Sequence, residues 1–142
     1  MVEKQTDIIS FLESRRSASA GFLTKPIPDK KQLIDILKIG LRCPDHGRLE
    51  PWRIQVLYPE KLVNVAFEVE KIGYKRDMDP DKLEKSKNRF LNSPLVLVVI
   101  FSPKESKIPS DEQFLSTGAV CMAILNAALA YGWGANWLTG WT

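Results

Sequence analysis

Apolar and polar residues change period several times along the chain, and each change predicts an element. Between Asp7 and Arg15, the residues Ile8, Phe11 and Leu12 fall on one face at helical spacing. A second helix has explicit start signals: Pro28, then Asp29 as a cap, then Gln32 three residues later. Leu33, Leu37 and Leu41 recur behind them with Ile34 alongside, and Pro44 predicts the stop. Trp52, Ile54, Val56 and Tyr58 then alternate with Arg53, Gln55 and Leu57, the period of a half-buried strand. Pro59 opens a third helix with Leu62, Ala66, Val69 and Gly73 as its inner stripe. Asp79-Pro80 opens a fourth toward Asn92, with Leu83, Phe90 and Leu91 as its buried positions.

Leu95 to Phe101 (LVLVVIF) is apolar throughout and rich in β-branched residues, which predicts a central strand covered on both faces. Ser110 and Gln113 repeat the capping-box spacing. The helix behind them runs to about Tyr131 and is apolar nearly all round, which places it in the middle of the fold. Gly132 fits the left-handed residue that follows a helix, and Ala135 to Leu138 fits a last strand. The class is therefore α+β, with strands separated by helices, in one domain over residues 1–142.

Composition narrows the function. A chain of 142 residues makes one domain at about 150 residues each, and 44% hydrophobic with 26% charged residues excludes disordered, collagen-like and long coiled-coil classes. The formal charge of +3 is too small to argue for nucleic acid. The basic residues between Lys71 and Arg89 alternate with Glu70, Asp77, Asp79, Asp81 and Glu84, the pattern of solvated helix faces. Cys43, Cys121 and His46 are too few for a structural zinc site, and two cysteines fit a reducing, cytoplasmic compartment. The N-terminus is charged from Glu3 onward and has no secretory apolar stretch. Gly118 to Leu138 is interrupted by Asn126, Asn136 and glycines, so a core helix accounts for it better than a membrane span.

Three clusters could carry chemistry. Ser14-Arg15-Arg16-Ser17 offers two guanidinium forks and two hydroxyls, a set suited to an oxygen anion, or simply cations at a helix C-terminus. Arg42 to Trp52 (RCPDHGRLEPW) links a helix to a strand and holds the one histidine. Cys43 and His46 lie too close along it to imply a nucleophile–base pair. Gly132 to Trp141 (GWGANWLTGW) combines glycines with flat aromatic surface, as a slot for a planar ring or an aromatic core strand would. Neither a Walker A lysine nor GxGxxG is present.

Taken in order, SRRS, PIP before a helix, RCPDHGRLEPWRI and GAVCMAILNAALAYGWGANWLTG resemble the nitroreductase family of flavoproteins over residues 7 to 141, most of all its compact members. The resemblance implies an α+β fold with a mostly antiparallel central sheet wrapped by helices. It implies a homodimer with FMN at the subunit interface. It also implies ping-pong transfer of hydride from NADH or NADPH through flavin to a nitroaromatic, quinone or similar acceptor. By the match, Arg15, Arg16 and Ser17 contact the FMN phosphate and ribityl chain, and Arg42 and His46 sit against the flavin. Trp137, Leu138 and Thr139 lie along the isoalloxazine, in family members often from the partner subunit, and Ala127 to Gly132 matches a segment assigned to nicotinamide nucleotide binding. No catalytic side chain and no metal are implied, because the cofactor carries the hydride. The chain departs from the family at Asp45, Arg48 and Glu50, where many members have Ser, Asn and Gln. It also stops soon after WLTG, where relatives continue into a further strand and a C-terminal arm, so it resembles a shortened member. The alternative reading is a flavin-binding or flavin-less relative with a binding or regulatory role.

Overall fold

The computed structural model describes residues 6–140. Five helices and two strands follow one another: α1 (Thr6–Ser14), α2 (Lys30–Gly40), β1 (Trp52–Leu57), α3 (Pro59–Lys75), α4 (Pro80–Leu91), β2 (Val96–Phe101) and α5 (Ser110–Ala130). Short 3-10 turns cover Ala20–Phe22 and His46–Arg48. The two strands pair antiparallel in a two-stranded sheet, with Trp52 opposite Phe101, Ile54 opposite Val99 and Leu57 opposite Val96. An α3–α4 hairpin fills the connection between them.

The start signals of α2 act as a pair. Asp29 Oδ1 accepts from the Gln32 N–H at 2.8 Å, and the Asp29 N–H donates to Gln32 Oε1 at 3.2 Å. Asp79 caps α4 through the Lys82 N–H at 3.0 Å. The Ser110 and Gln113 spacing does not make a cap. Pro109 precedes α5 with no side-chain cap bond. Gln113 is buried and turns to the preceding loop, accepting from the Lys104 N–H and donating to the carbonyls of Lys104 and Ile108. A buried amide cannot leave those groups unpaired, and the loop backbone supplies all three partners.

The core forms where α2 and α5 cross over one face of the sheet. Ile36, Val120, Ile124 and Ala127 make its centre, with Trp52, Ile54, Leu97 and Val99 from the strands packed against them. The inner stripe of α2 is Leu33, Ile36 and Gly40 rather than Leu33, Leu37 and Leu41: Leu37 is half-buried and Leu41 exposed. The cause is Gly40, whose missing side chain lets α2 lie directly on the backbone and side chain of Ile124. In α3 the predicted stripe Leu62, Ala66, Val69 and Gly73 is buried as read. In α4, Leu83 and Ser86 are buried, Phe90 is half-buried and Leu91 exposed. Gly73 faces the Leu83 side chain, so the hairpin closes at the near end of α4 and leaves its last turn outside.

Two expectations about the centre change. β2 is half-buried along its whole length instead of covered on both faces, because its one sheet neighbour among the described residues is β1. By length and composition α5 would pass for a membrane span, yet its inner face makes the core. It is also not enclosed all round: Phe114 and Leu115 are 60% and 70% exposed. The segment Ala135 to Leu138 is not a strand, and Trp141 lies outside the described residues.

Gly40→Ala tests the α2–α5 approach. Its new methyl must displace Ile124, so the variant should lose about 1–3 kcal/mol of stability in denaturant unfolding. An unchanged midpoint would mean the two helices are farther apart than described.

Candidate functional site

The first cluster begins where α1 runs out of hydrogen bonds. The Arg15 N–H still reaches the Phe11 carbonyl at 2.8 Å, and the chain then leaves the helix. Arg16 turns back, with Nη1 donating to the carbonyls of Glu13 (3.2 Å) and Arg15 (2.9 Å). That is a cation satisfying orphan carbonyls at a helix C-terminus. Arg15 differs. Its Nη2 lies 3.5 Å from Ser17 Oγ, and its Nε is buried without a hydrogen-bond partner. A buried donor left unpaired costs about 1–3 kcal/mol, so this guanidinium is the one set up to gain from an acceptor.

Next in the chain, Ala18 is captured by residues near the other end. Its N–H donates to the Ala135 carbonyl at 3.0 Å, and its own carbonyl accepts from Asn136 Nδ2. What brings Ala135 there is the turn that ends α5. Gly132 has φ +83°, its N–H bonds the Leu129 carbonyl, and the Trp133 N–H bonds the Ala128 carbonyl. This reversal is a Schellman motif, in which glycine takes the left-handed conformation without penalty. Gly134 then passes so close that an added Cβ would stand 2.9 Å from Leu23 Cδ2 and 3.7 Å from Ala18 Cβ.

The aromatic ledge follows directly. Trp137 reaches the α5 face at Gly118, where a Cβ would lie 3.9 Å from its Cη2 atom. Trp137 and Leu138 nevertheless remain 45% and 51% exposed, and Thr139 is exposed. Arg15, Arg16 and Ser17 are thus tied through Ala18 to the segment that carries Trp137, Leu138 and Thr139.

The helix–strand loop is built separately. Within it Gly47, Arg48 and Glu50 all have left-handed φ values of +75°, +53° and +48°. For the two non-glycine residues this costs on the order of 1–3 kcal/mol each, and the loop is over-determined enough to hold it. Asp45 does much of the holding: its carbonyl accepts from the Arg48 N–H at 3.2 Å, and its Oδ2 from the Glu50 N–H at 2.7 Å. Its Oδ1 is buried without a partner. Asp45, Arg48 and Glu50 therefore shape this loop. His46 Nδ1 meets Glu112 Oε2 at 2.8 Å, which anchors the loop to the first turn of α5. Arg42 is exposed, and its side chain has no hydrogen-bond or ion-pair partner among the described residues. No hydrogen bond or ion pair joins Arg42 or His46 to the Arg15–Ser17 cluster or to Trp137–Thr139.

Sequence reasoning did not single out Glu112 or Asn136 as partners. Asn136 carried a signal, a lone amide within an apolar run. Glu112 carried none, since an acid in a first helical turn is ordinary. Cys43 and His46 do not form a reactive pair. Cys43 packs against the core and burial pushes its thiol pKa up. Burial raises that of Cys121 as well, with the neighbouring Cys43 adding to it and a backbone hydrogen bond opposing it. Among the described residues no three of His, Cys, Asp and Glu are grouped to hold a metal.

A sequence model of the nitroreductase family matches residues 12–142. The protein YdjA of Escherichia coli (strain K12), named provisionally as an NAD(P)H nitroreductase, is 34% identical over 135 residues, 94% of this chain and 73% of that protein. The chain belongs to the nitroreductase family. The fold agrees. A nitroreductase-like family protein from Bacillus cereus superposes with a TM-score of 0.74 at 26% identity, covering 99% of this chain and 73% of that one. A variant of an FMN- and NADPH-dependent nitroreductase from sphigopyxis sp. strain HMH superposes with a TM-score of 0.61. It covers 87% of this chain and 70% of that one at 17% identity, a likeness of fold. Membership in the nitroreductase family places the chain's chemistry among the oxidoreductases. The comparisons thus support the α+β nitroreductase fold, the family itself and the general oxidoreductase class.

The thiols give a pH test. Both have folded-state pKa values above the ordinary one, so the folded chain keeps protons that the unfolded chain releases. Their contribution to stability is complete below the ordinary thiol pKa and is lost as pH rises through the folded values. Unfolding measured from about pH 7.5 to about pH 10 should show a fall in stability. The fall should be smaller in a Cys43→Ala/Cys121→Ala variant. Equal slopes in the two proteins would contradict the burial.

Proposed function

We propose that the protein is an FMN-dependent NAD(P)H oxidoreductase. The observation that carries this reading is the bonding of Ala18 to Ala135 and Asn136, which ties the segment of Arg15, whose Nε is buried and unpaired, to the segment that carries an exposed aromatic ledge. The two halves fit the two halves of FMN, an anionic phosphate and a flat apolar ring. The E. coli relative is named for NAD(P)H, and one structural neighbour is described as FMN- and NADPH-dependent.

Arg15, Arg16 and Ser17 would hold the phosphate and ribityl chain: two cations and a hydroxyl donor facing a dianion. Arg16 would have to release the carbonyls of Glu13 and Arg15 to do so, whereas Arg15 already has a donor in need of an acceptor. Trp137, Leu138 and Thr139 would lie along the ring, with Trp137 supplying apolar surface and the Thr139 hydroxyl a donor. Arg42 and His46 would bring positive charge and a ring nitrogen to the flavin from the helix–strand loop. FMN, when bound, supplies the hydride chemistry between NAD(P)H and a nitroaromatic, quinone or similar acceptor. The protein's part is to orient the cofactor, to stabilise negative charge on its polar edge and to limit water.

A second copy of the chain belongs to the same reading. Ile8 and Leu12 on α1, Phe114 and Leu115 on α5, and Leu138 on the ledge are all more than half exposed. Apolar surface of this kind marks an interface. A homodimer with FMN at the interface would cover it. The free thiols of Cys43 and Cys121 fit a cytoplasmic location.

Three measurements check the proposal. Protein purified with FMN should be yellow and should bleach with NADH or NADPH; a protein that stays colourless in excess FMN would favour a flavin-less role. Arg15→Ala should weaken FMN binding by about 1.5–3 kcal/mol, or roughly 10- to 150-fold in Kd. Unchanged affinity would remove Arg15 from the site. For assembly, sedimentation should give a dimer for the native chain and a monomer for Leu115→Glu, which places a charge on the apolar face. A native monomer at micromolar concentration would contradict the interface.

A further inference from the structure

His46 and Glu112 meet across 66 positions of sequence, with Nδ1 and Oε2 2.8 Å apart. His46 is the one histidine of the chain. An ionised carboxylate can only accept a hydrogen bond. Glu112 sits in the first turn of α5, and its carboxylate faces Nδ1. Nδ1 must then carry a proton, in the neutral ring as much as in the imidazolium. Nε2, across the ring, has no partner among the described residues, and the His46 side chain is 66% exposed. An ion pair this exposed adds little stability. What it adds is orientation and choice of tautomer, in a loop already held by left-handed backbone at Gly47, Arg48 and Glu50.

We propose that Glu112 is the positioning residue of His46: by holding Nδ1–H, it leaves Nε2 as the single ring nitrogen offered to the polar edge of a bound flavin. Resting on the flavin reading above, the proposal adds a residue and a tautomer to it. Nε2 accepts from an N–H when the ring is neutral and donates to a carbonyl or anionic edge when it is protonated. The isoalloxazine edge presents both kinds of group. Nδ1 is a donor to Glu112 in either form, so the ring keeps its orientation. In the opposite tautomer Nε2 would keep its proton and Nδ1 would face a carboxylate with no hydrogen between them.

The chain's one histidine makes the test unambiguous. Two-bond ¹H–¹⁵N correlations of the imidazole are recorded on FMN-free protein at about pH 8.5, where an ordinary imidazole is neutral. The wild type should show Nδ1 protonated and Nε2 unprotonated. Glu112→Ala, which removes the acceptor, should move the ring toward the Nε2–H form that histidine side chains favour in water. Wild-type protein in the Nε2–H form would overturn the proposal, and this outcome needs no variant. Adding FMN should shift the Nε2 resonance more than that of Nδ1, and Glu112→Ala should bind FMN roughly 3- to 10-fold more weakly. FMN that binds the wild type without moving either ring nitrogen would also overturn it. A wild type that takes up no FMN would instead count against the flavin reading, while the FMN-free spectra still decide whether Glu112 selects the tautomer.

Discussion

The arrangement depends on Ala18 having both of its backbone groups bonded by residues at the far end of the chain. Ala135 accepts its N–H and Asn136 donates to its carbonyl. Each such bond contributes about 0.5–1.5 kcal/mol net, so the pair is modest beside the core. Its importance is positional. α1 keeps Ile8 and Leu12 exposed, so burial alone does not settle where the segment after it goes. The two bonds, with the close pass of Gly134 over Ala18 and Leu23, tie the segment after Arg15–Ser17 to the one that leads into the aromatic ledge.

α5 is the element against which everything else is placed. Its middle touches α2 at Gly40 and forms the core with the inner sheet face. Glu112 in its first turn holds the His46 loop. Gly118, six residues on and about 9 Å along the axis, leaves room for Trp137. Its end at Gly132 turns the chain back toward Ala18. One helix therefore positions both the loop and the ledge. On the proposed flavin reading, a rigid holder of this kind matters more than reactive side chains.

Much of this was legible in the sequence because it is local. Capping residues, proline positions and hydrophobic period are short-range signals, and they located α1 to α5 and both strands. The inner stripe of α3 was readable because Leu62, Ala66, Val69 and Gly73 recur at helical spacing. The α2 stripe was misjudged because a glycine, which adds no apolar signal, lies at its contact point. The spacing of Ser110 and Gln113 allows a cap, but burial redirects the Gln113 amide to the loop backbone. Ala135 to Leu138 has strand-like composition, yet Asn136 bonds Ala18 instead of extending the sheet. For the candidate site, residue types and their order pointed to the three clusters. The Ala18 and Glu112 contacts span 118 and 66 positions, and no local pattern encodes contacts at that range.

The most direct measurement is a crystal structure of the protein with FMN. The phosphate should lie against Arg15, Arg16 and Ser17 and the ring against Trp137 to Thr139, with the bonds from Ala18 to Ala135 and Asn136 intact. FMN held elsewhere, or these two segments separated while FMN is bound, would contradict this placement.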